Sequence, residues 1–455
     1  TIQYLRVLGS LPAKIVASRF GTDQAIQVAN QPFNLRFAAS NQGDLPAEAL
    51  TLKLALVEGL NLEEGSAETS FDSLEVGAEV ASTWKLSGEA GIYPVSLWDG
   101  DQKLRQVNVI IEPDPAPSNA ESLVLANDQI RLSFQKASFG YGTSSLEWRS
   151  DGSWMPAGRL RSLGQLTYLD ASGEEFESLL YAPEGLFSGN KLSFTASLKD
   201  TDSTTWKSTV QFQLAPQNPW LDVSYTLEVD APVRLLSWRG PEYLAGEGSF
   251  GTARTSGMFP GLEFLLNDEM SSGTDYANAS VSQRYVPHPN KITIPFMAIT
   301  QGELATGLIW DPLQTWDAAG NDRPAALFAS PNRWEGQENH LMSLFVPGLT
   351  AGLQENQDQL DQPYTLQPGS PLHLSAVLYA TPAQDILAPL DTWMAYTGQL
   401  SPNPAAITLP ENVRTQDALM QLCLENYTDV TWVEGKKGWH YALNDPWGPG
   451  SDSAI

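Results

Sequence analysis

From near the start to about residue 380, apolar and polar positions alternate with a period of two. In WLDVSYTLEV, Leu221, Val223, Tyr225, Leu227 and Val229 fall on one face, and Asp222, Ser224, Thr226 and Glu228 fall on the other. Successive side chains of an extended strand point to opposite sides, so this pattern predicts a half-buried antiparallel strand. It recurs in TLKLALV, QVNVII, QIRLSF, KLSFTASL, TVQFQL and LHLSAVLYA. Turn formers punctuate these runs: NQGD, WDGDQ, RSDGS, ASGEE and FSGN. The expected class is mainly β.

The spacing of strands and breaks divides the chain. Residues 1–112 read as a small β-sandwich, with PFNLRFAASNQGDLPAEALTLKLALVEG giving strand, turn, strand. Residues 113–122 read as a linker, because the prolines of EPDPAPSNAES hold it stiff and extended. Residues 123–380 continue in strands without a helical pattern, which predicts one large two-sheet sandwich. After residue 380 the period changes. TPAQDILAPLDTWMAYTG predicts a helix with Thr381 as N-cap, Pro382 at the first position, Gly398 past the end and a kink or break at Pro389. Residues 381–414 are a helical joint. Residues 415–455 begin a helical segment, with Thr415 capping TQDALMQLCLENYTDVTW and an apolar stripe of Ala418, Leu419, Leu422 and Cys423.

Charge narrows the function classes. The 455 residues carry 53 acidic against 26 basic side chains, a net charge of -27. A field of that sign repels nucleic acid and anionic membrane surfaces. The longest apolar runs are too short to span a bilayer. A single cysteine, Cys423, excludes an intrachain disulfide framework. The chain opens on TIQYLRVLGS without Met, as a processed or excised piece would. Fourteen tryptophans, 31 prolines and 36 glycines give it the texture of exported β proteins that handle sugars, and point to an extracellular or cell-surface setting.

Three stretches carry a likeness to known families. FAASNQGDLPAE resembles the strand–turn–strand centre of the immunoglobulin-like spacers found beside bacterial carbohydrate-active enzymes. Such spacers imply no active site in residues 1–112. LVLANDQIRLSFQKASFGYGTSSLEW and TWKSTVQFQLAPQNPWLDVSYTLEV resemble the paired strands of galactose-mutarotase-like supersandwich domains. A supersandwich followed by helices resembles the layout of several glycoside hydrolase, phosphorylase and polysaccharide lyase families, in which an (α/α) toroid carries the catalytic acids. No catalytic motif of those families matches here, so no catalytic residue carries over.

Four constellations are candidates for chemistry. GMFPGLEFLLNDEMSSGTDYANAS holds Glu263, Asp268, Glu269 and Asp275 with no Lys or Arg inside it. Hard carboxylate ligands on a loop suit calcium, with Asp268, Glu269 and Asp275 as metal ligands, although the spacing is not that of an EF-hand. Glu263 is a candidate sugar contact, and the alternative for the whole stretch is a solvated rim. LLSWRGPEYLAGEG holds Trp238, Arg239 and Glu242: an indole covers the apolar face of a pyranose while a charged pair bonds its hydroxyls, or the pair is structural under a buried Trp. GLIWDPLQTWD and SPNRWEGQEN hold Trp310, Trp334 and Glu335, a recurring aromatic–acid pairing that suits a glycan groove or plugs a sheet end. GWHYALNDPWGPGSD holds Trp439, His440 and Tyr441, residue types that serve a lyase's proton abstraction or pack between helices. The four histidines are scattered, which disfavours zinc.

These observations lead to one expectation: the non-catalytic N-terminal part of an exported carbohydrate-active enzyme, of glycoside hydrolase or polysaccharide lyase type. Its partner would be a polysaccharide or oligosaccharide, with calcium as an optional cofactor. The alternative is a carbohydrate-binding or structural cell-surface protein without catalysis.

Overall fold

The computed structural model describes residues 12–41, 43–48, 50–113, 121–271, 284–317, 323–400, 415–434 and 438–439. The chain is mainly β, and it divides into two compact units, Thr1–Met394 and Ala395–Ile455.

The first unit opens with two sheets. One has the strand order Ile15–Thr22, Phe33–Asn41, Glu79–Gly88, Leu60–Glu64. The other runs Ile26–Val28, Gln102–Glu112, Gly91–Asp99, Leu50–Ala55, Glu68–Phe71. Alternation sets the core: Leu35, Phe37 and Ala39 of Phe33–Asn41 point inward and meet Trp84, Leu86, Val95, Leu97 and Val109. The Trp84 indole nitrogen donates to the Ser66 carbonyl at 2.8 Å, so its one polar atom is satisfied at the edge of that core.

Two larger sheets follow, of ten and nine strands among the described residues. They enclose a continuous apolar core that includes Phe134, Phe194, Trp206, Phe212, Tyr225 and Trp238. The expected alternation holds in Trp220–Val229, where Leu221, Val223, Tyr225, Leu227 and Val229 are all buried. It fails in Val233–Ala245, Leu304–Ile309, Ala325–Ala329 and His340–Val346, where nearly every residue is buried. Both faces of these strands are covered, including those of Ala325–Ala329, which pairs only with His340–Val346.

Part of that second cover over the ten-stranded sheet is the N-terminal sandwich. Ala25, Ile26 and Ile110 join one apolar cluster with Leu236, Leu244, Leu327, Leu341 and Phe345. Polar clasps flank it. Glu112 accepts from both the Arg159 guanidinium, at 2.7 Å, and the Thr143 hydroxyl, and the Ile26 amide donates to Glu247 at 3.4 Å. Gly21 passes so near the Glu335 carbonyl that a β-carbon there would sit 2.9 Å from it.

The helix expected from Thr381 begins later. Thr381 and Pro382 end the strand Leu372–Pro382, and the helix runs Ala388–Leu400. Pro389 therefore sits in the first turn, where its missing N–H has no intrahelical partner to lose, and it neither kinks nor splits the helix. Gly398 lies inside the helix rather than beyond it.

In the second unit Thr415 caps the helix Gln416–Glu425, its hydroxyl accepting from the Ala418 amide at 3.2 Å. Leu419, Leu422 and Cys423 of the expected stripe are exposed there.

Candidate functional site

A cleft of about 830 Å³ opens in the first unit. The N-terminal sandwich supplies Phe20, Gly21 and Arg105 to Asn108 on one side. The ten-stranded sheet and the loops around Arg333–Gln337 and Asn356–Asp361 supply the other.

Its floor is a buried ionic cluster. Arg161 follows directly on the strand Ser153–Leu160. Arg239 and Glu242 both belong to Val233–Ala245, three residues apart, a spacing that puts side chains of a regular strand on opposite faces. The pairing with His340–Val346 shifts register between these two residues, and the irregularity turns both toward one place: Arg239 Nη1 lies 3.5 Å from Glu242 Oε1. Glu335 is held by a reciprocal clasp, Asn332 Nδ2 donating to its Oε2 at 3.1 Å and its own amide donating to Asn332 Oδ1 at 3.2 Å. Arg161 then grips Glu335 with two nitrogens, at 2.9 and 3.2 Å, and also bonds Glu242. Arg239 reaches Asp358 at 2.7 Å and lies 3.7 Å from Glu335.

The electrostatics follow from this crowding. Burial opposes the charged form of Arg161, but attraction from Glu242 and Glu335 outweighs it and lifts the guanidinium well above its ordinary value. Arg239 is raised in the same way, burial being overcome by Asp358, Glu242 and Glu335. Burial pushes Glu335 up, yet Arg161 and Arg239 hold it below the usual carboxylate range. Glu177, on the strand Glu175–Leu179, goes the other way: burial raises it to about 7 despite the pull of the two arginines. The Nε–H groups of Arg161 and Arg239 are buried and take no partner among the described residues.

Beside the ionic floor stands an aromatic wall. Trp334 and Tyr285 line the cleft and meet edge to face, 5.2 Å between ring centroids. Paired aromatic surface next to charged donors and acceptors is the chemistry that receives a polyhydroxylated ligand.

Of the residues singled out in the sequence, Arg239, Glu242, Trp334 and Glu335 come together here. Trp238 is elsewhere: at 0% exposure it packs edge to face with Tyr225 in the core. Trp310 is buried against Phe259, and Trp316 against Tyr364. Glu263 lies on the edge strand Glu263–Leu266, 9% exposed and 3.9 Å from Arg284. Asp268 and Glu269 sit on an exposed turn beyond it. Arg254 runs beneath that turn, donating to the carbonyls of Asn267, at 2.7 Å, and Glu269. The cations absent from the local sequence are therefore supplied from outside it. Among the described residues no group of three His, Cys, Asp or Glu is arranged to hold a metal ion. Trp439 pairs with Trp432 in a two-residue ladder, and Asp275, His440 and Tyr441 lie outside the described residues.

Arg161, Glu177 and Asn108 were not singled out from the sequence. Only Arg161 carried a signal: a charge in the apolar run at the end of a strand, within GRLRSLG.

No protein-family model matches the chain, and no curated protein matches it. Among solved structures it is similar to the α-N-acetylgalactosaminidase NagBb from Bifidobacterium bifidum, over 61% of this chain and 39% of that one, at 10% identity and a TM-score of 0.35. It is also similar to a TPR-domain containing protein from Parabacteroides distasonis, over 92% of this chain and 66% of that one, at 8% identity and a TM-score of 0.28. A third similarity is to the Escherichia coli adhesin FdeC, over 80% and 99%, at 12% identity and a TM-score of 0.17. The chain thus spans well under half of the glycosidase. The likeness to a carbohydrate-active enzyme is weak.

Proposed function

We propose that this chain is the saccharide-engaging, non-catalytic front of an exported carbohydrate-active enzyme of glycoside hydrolase or polysaccharide lyase type, and that the cleft is where the saccharide is held. One observation carries the reading: the Arg161–Glu335–Arg239 cluster and the Trp334–Tyr285 pair line the same cleft. A pyranose needs both parts, an aromatic surface for its C–H face and charge-assisted hydrogen bonds for its hydroxyls. The mixed signs of the cleft suit a neutral or weakly charged sugar better than a polyanion.

The test is binding of a panel of immobilised glycans by the intact chain. Trp334→Ala is expected to weaken the retained glycan about tenfold or more, the scale of an aromatic anchor lost from the centre of an interface. Glu269→Ala, on a turn that does not line the cleft, is expected to leave it unchanged. Failure of the chain to retain any glycan, or equal affinity in Trp334→Ala, overturns the reading. Concentration-dependent self-assembly without glycan binding would turn it toward a structural cell-surface role.

A further inference from the structure

The carboxyl of Glu177 lines the cleft from the edge of the ten-stranded sheet. Across the seam, Asn108 of the strand Gln102–Glu112 donates its amide to Glu177 Oε1 at 2.9 Å and to the Glu177 carbonyl at 3.3 Å. The other carboxyl oxygen, Oε2, takes no hydrogen bond among the described residues. We propose that Glu177, clamped by Asn108 of the N-terminal sandwich, presents an O–H at Oε2 to the bound saccharide and so selects a ligand acceptor oxygen, such as a ring, glycosidic or carboxylate oxygen, at that point of the cleft.

Burial, working against the pull of the nearby arginines, accounts for an acid rather than a carboxylate standing there. Arg161 and Arg239 face Glu177 together with Glu242, and the same two arginines are already shared with Glu335 and Asp358. The two arginines draw Glu177 toward its carboxylate and Glu242 pushes the other way, while Arg19, Arg333 and Asp361 line the same cleft. Arg105 and Glu175, from the two facing strands, line the same cleft with opposite signs. Burial raises the carboxyl to about 7, so that it is largely protonated only below that pH, and the Asn108 bond is among the influences that lower it. Two roles follow. Glu177 is the ligand contact, and Asn108 is a positioning residue that fixes which oxygen is left to carry the proton.

The inference rests on the cleft being the saccharide site, so its experiment has two arms. In the first, the best glycan from the panel is titrated into the intact chain from about pH 5.5 to about pH 8.5. Affinity of the unaltered protein is expected to fall about fivefold across that range, the worth of one hydrogen bond. Glu177→Gln keeps an N–H donor at every pH and is expected to show a flat profile. Asn108→Ala is expected to move the midpoint upward, which a merely structural loss would not do. A flat profile in the unaltered protein, or a profile in Glu177→Gln that matches it, overturns the inference. In the second arm, infrared difference spectra of the ligand-free chain, unaltered minus Glu177→Gln, are expected to show a protonated carboxyl at the acid end that fades at the alkaline end. A bound glycan without that band overturns the Glu177 assignment; the band without any bound glycan overturns the saccharide reading.

Discussion

The exposed turn at Asn267–Met270 and the floor of the cleft are both rich in carboxylates, and they are built in opposite ways. On the turn, Asp268 and Glu269 are neighbours in sequence, open to water, and underpinned by Arg254 through backbone carbonyls rather than through their own carboxylates. In the cleft, Glu242 and Glu335 are 93 residues apart, largely buried, and bound directly by Arg161. Density of charge along a chain marks solvated surface, where each group is screened and worth little. Convergence of charge from distant strands marks a place where desolvation has been offset by partners, and there each group has large leverage.

The largest expected effect tests that leverage. Removing Glu242 leaves Arg161 and Arg239 buried with fewer partners, so Glu242→Ala should lower the unfolding free energy by about 3–5 kcal/mol, read by urea denaturation. A loss under about 1 kcal/mol would mean that the cleft cluster is no more coupled than the turn.

Next comes a pH effect on the support beneath the turn. Arg254 Nε donates to Ser330 Oγ at 2.8 Å, and Ser330 lies 2.8 Å from His340 Nδ1, deep in the ten-stranded sheet. Burial, aided by Arg254, lowers the imidazole to about 3. A base whose pKa falls on folding binds protons more readily when unfolded, so its stability contribution is lost as pH drops from about 6.5 toward 3. Denaturation midpoints are expected to decline over that window, and His340→Gln to decline less. An identical slope in the variant would place the acid sensitivity elsewhere.

Glu177 supplies a smaller effect of opposite sign. Its pKa rises on folding from 4.5 to about 7, so the folded protein loses stability as pH climbs through that interval. Glu177→Gln should remove that decline, and a variant as pH-sensitive as the parent would contradict it. The smallest effect belongs to the turn itself: Glu269→Ala deletes one exposed acceptor for the Leu266 amide, and a change below about 1 kcal/mol is expected in thermal unfolding.

How much of this was legible in the sequence depends on how far each feature reaches along the chain. Half-buried strands announce themselves, as Leu221 to Val229 did, because alternation is local. Val233–Ala245 did not, because both its faces are covered and the pattern dissolves. The helix start was misplaced because Thr381 and Pro382 carry a good capping signal, but the ladder with Leu304 and Ala305 claims them for a strand. Arg239, Glu242, Trp334 and Glu335 were picked out by residue type. Their convergence depends on a register irregularity and on contacts such as Arg161 to Glu335, 174 residues apart, which leave no mark in any short window. Trp310 shows the reverse: the aromatic–acid signal is the same as at Trp334, but the ring faces the core.

The seam between the N-terminal sandwich and the ten-stranded sheet has a practical consequence. Because Ile26 and Ile110 share an apolar cluster with Leu327 and Phe345, the leading sandwich cannot be trimmed off or swapped as an inert spacer. Expressing the large sandwich alone would uncover greasy surface prone to clumping, and it would also strip the cleft of the face that carries Asn108. Any engineering of this scaffold has to treat the two sandwiches as a single part.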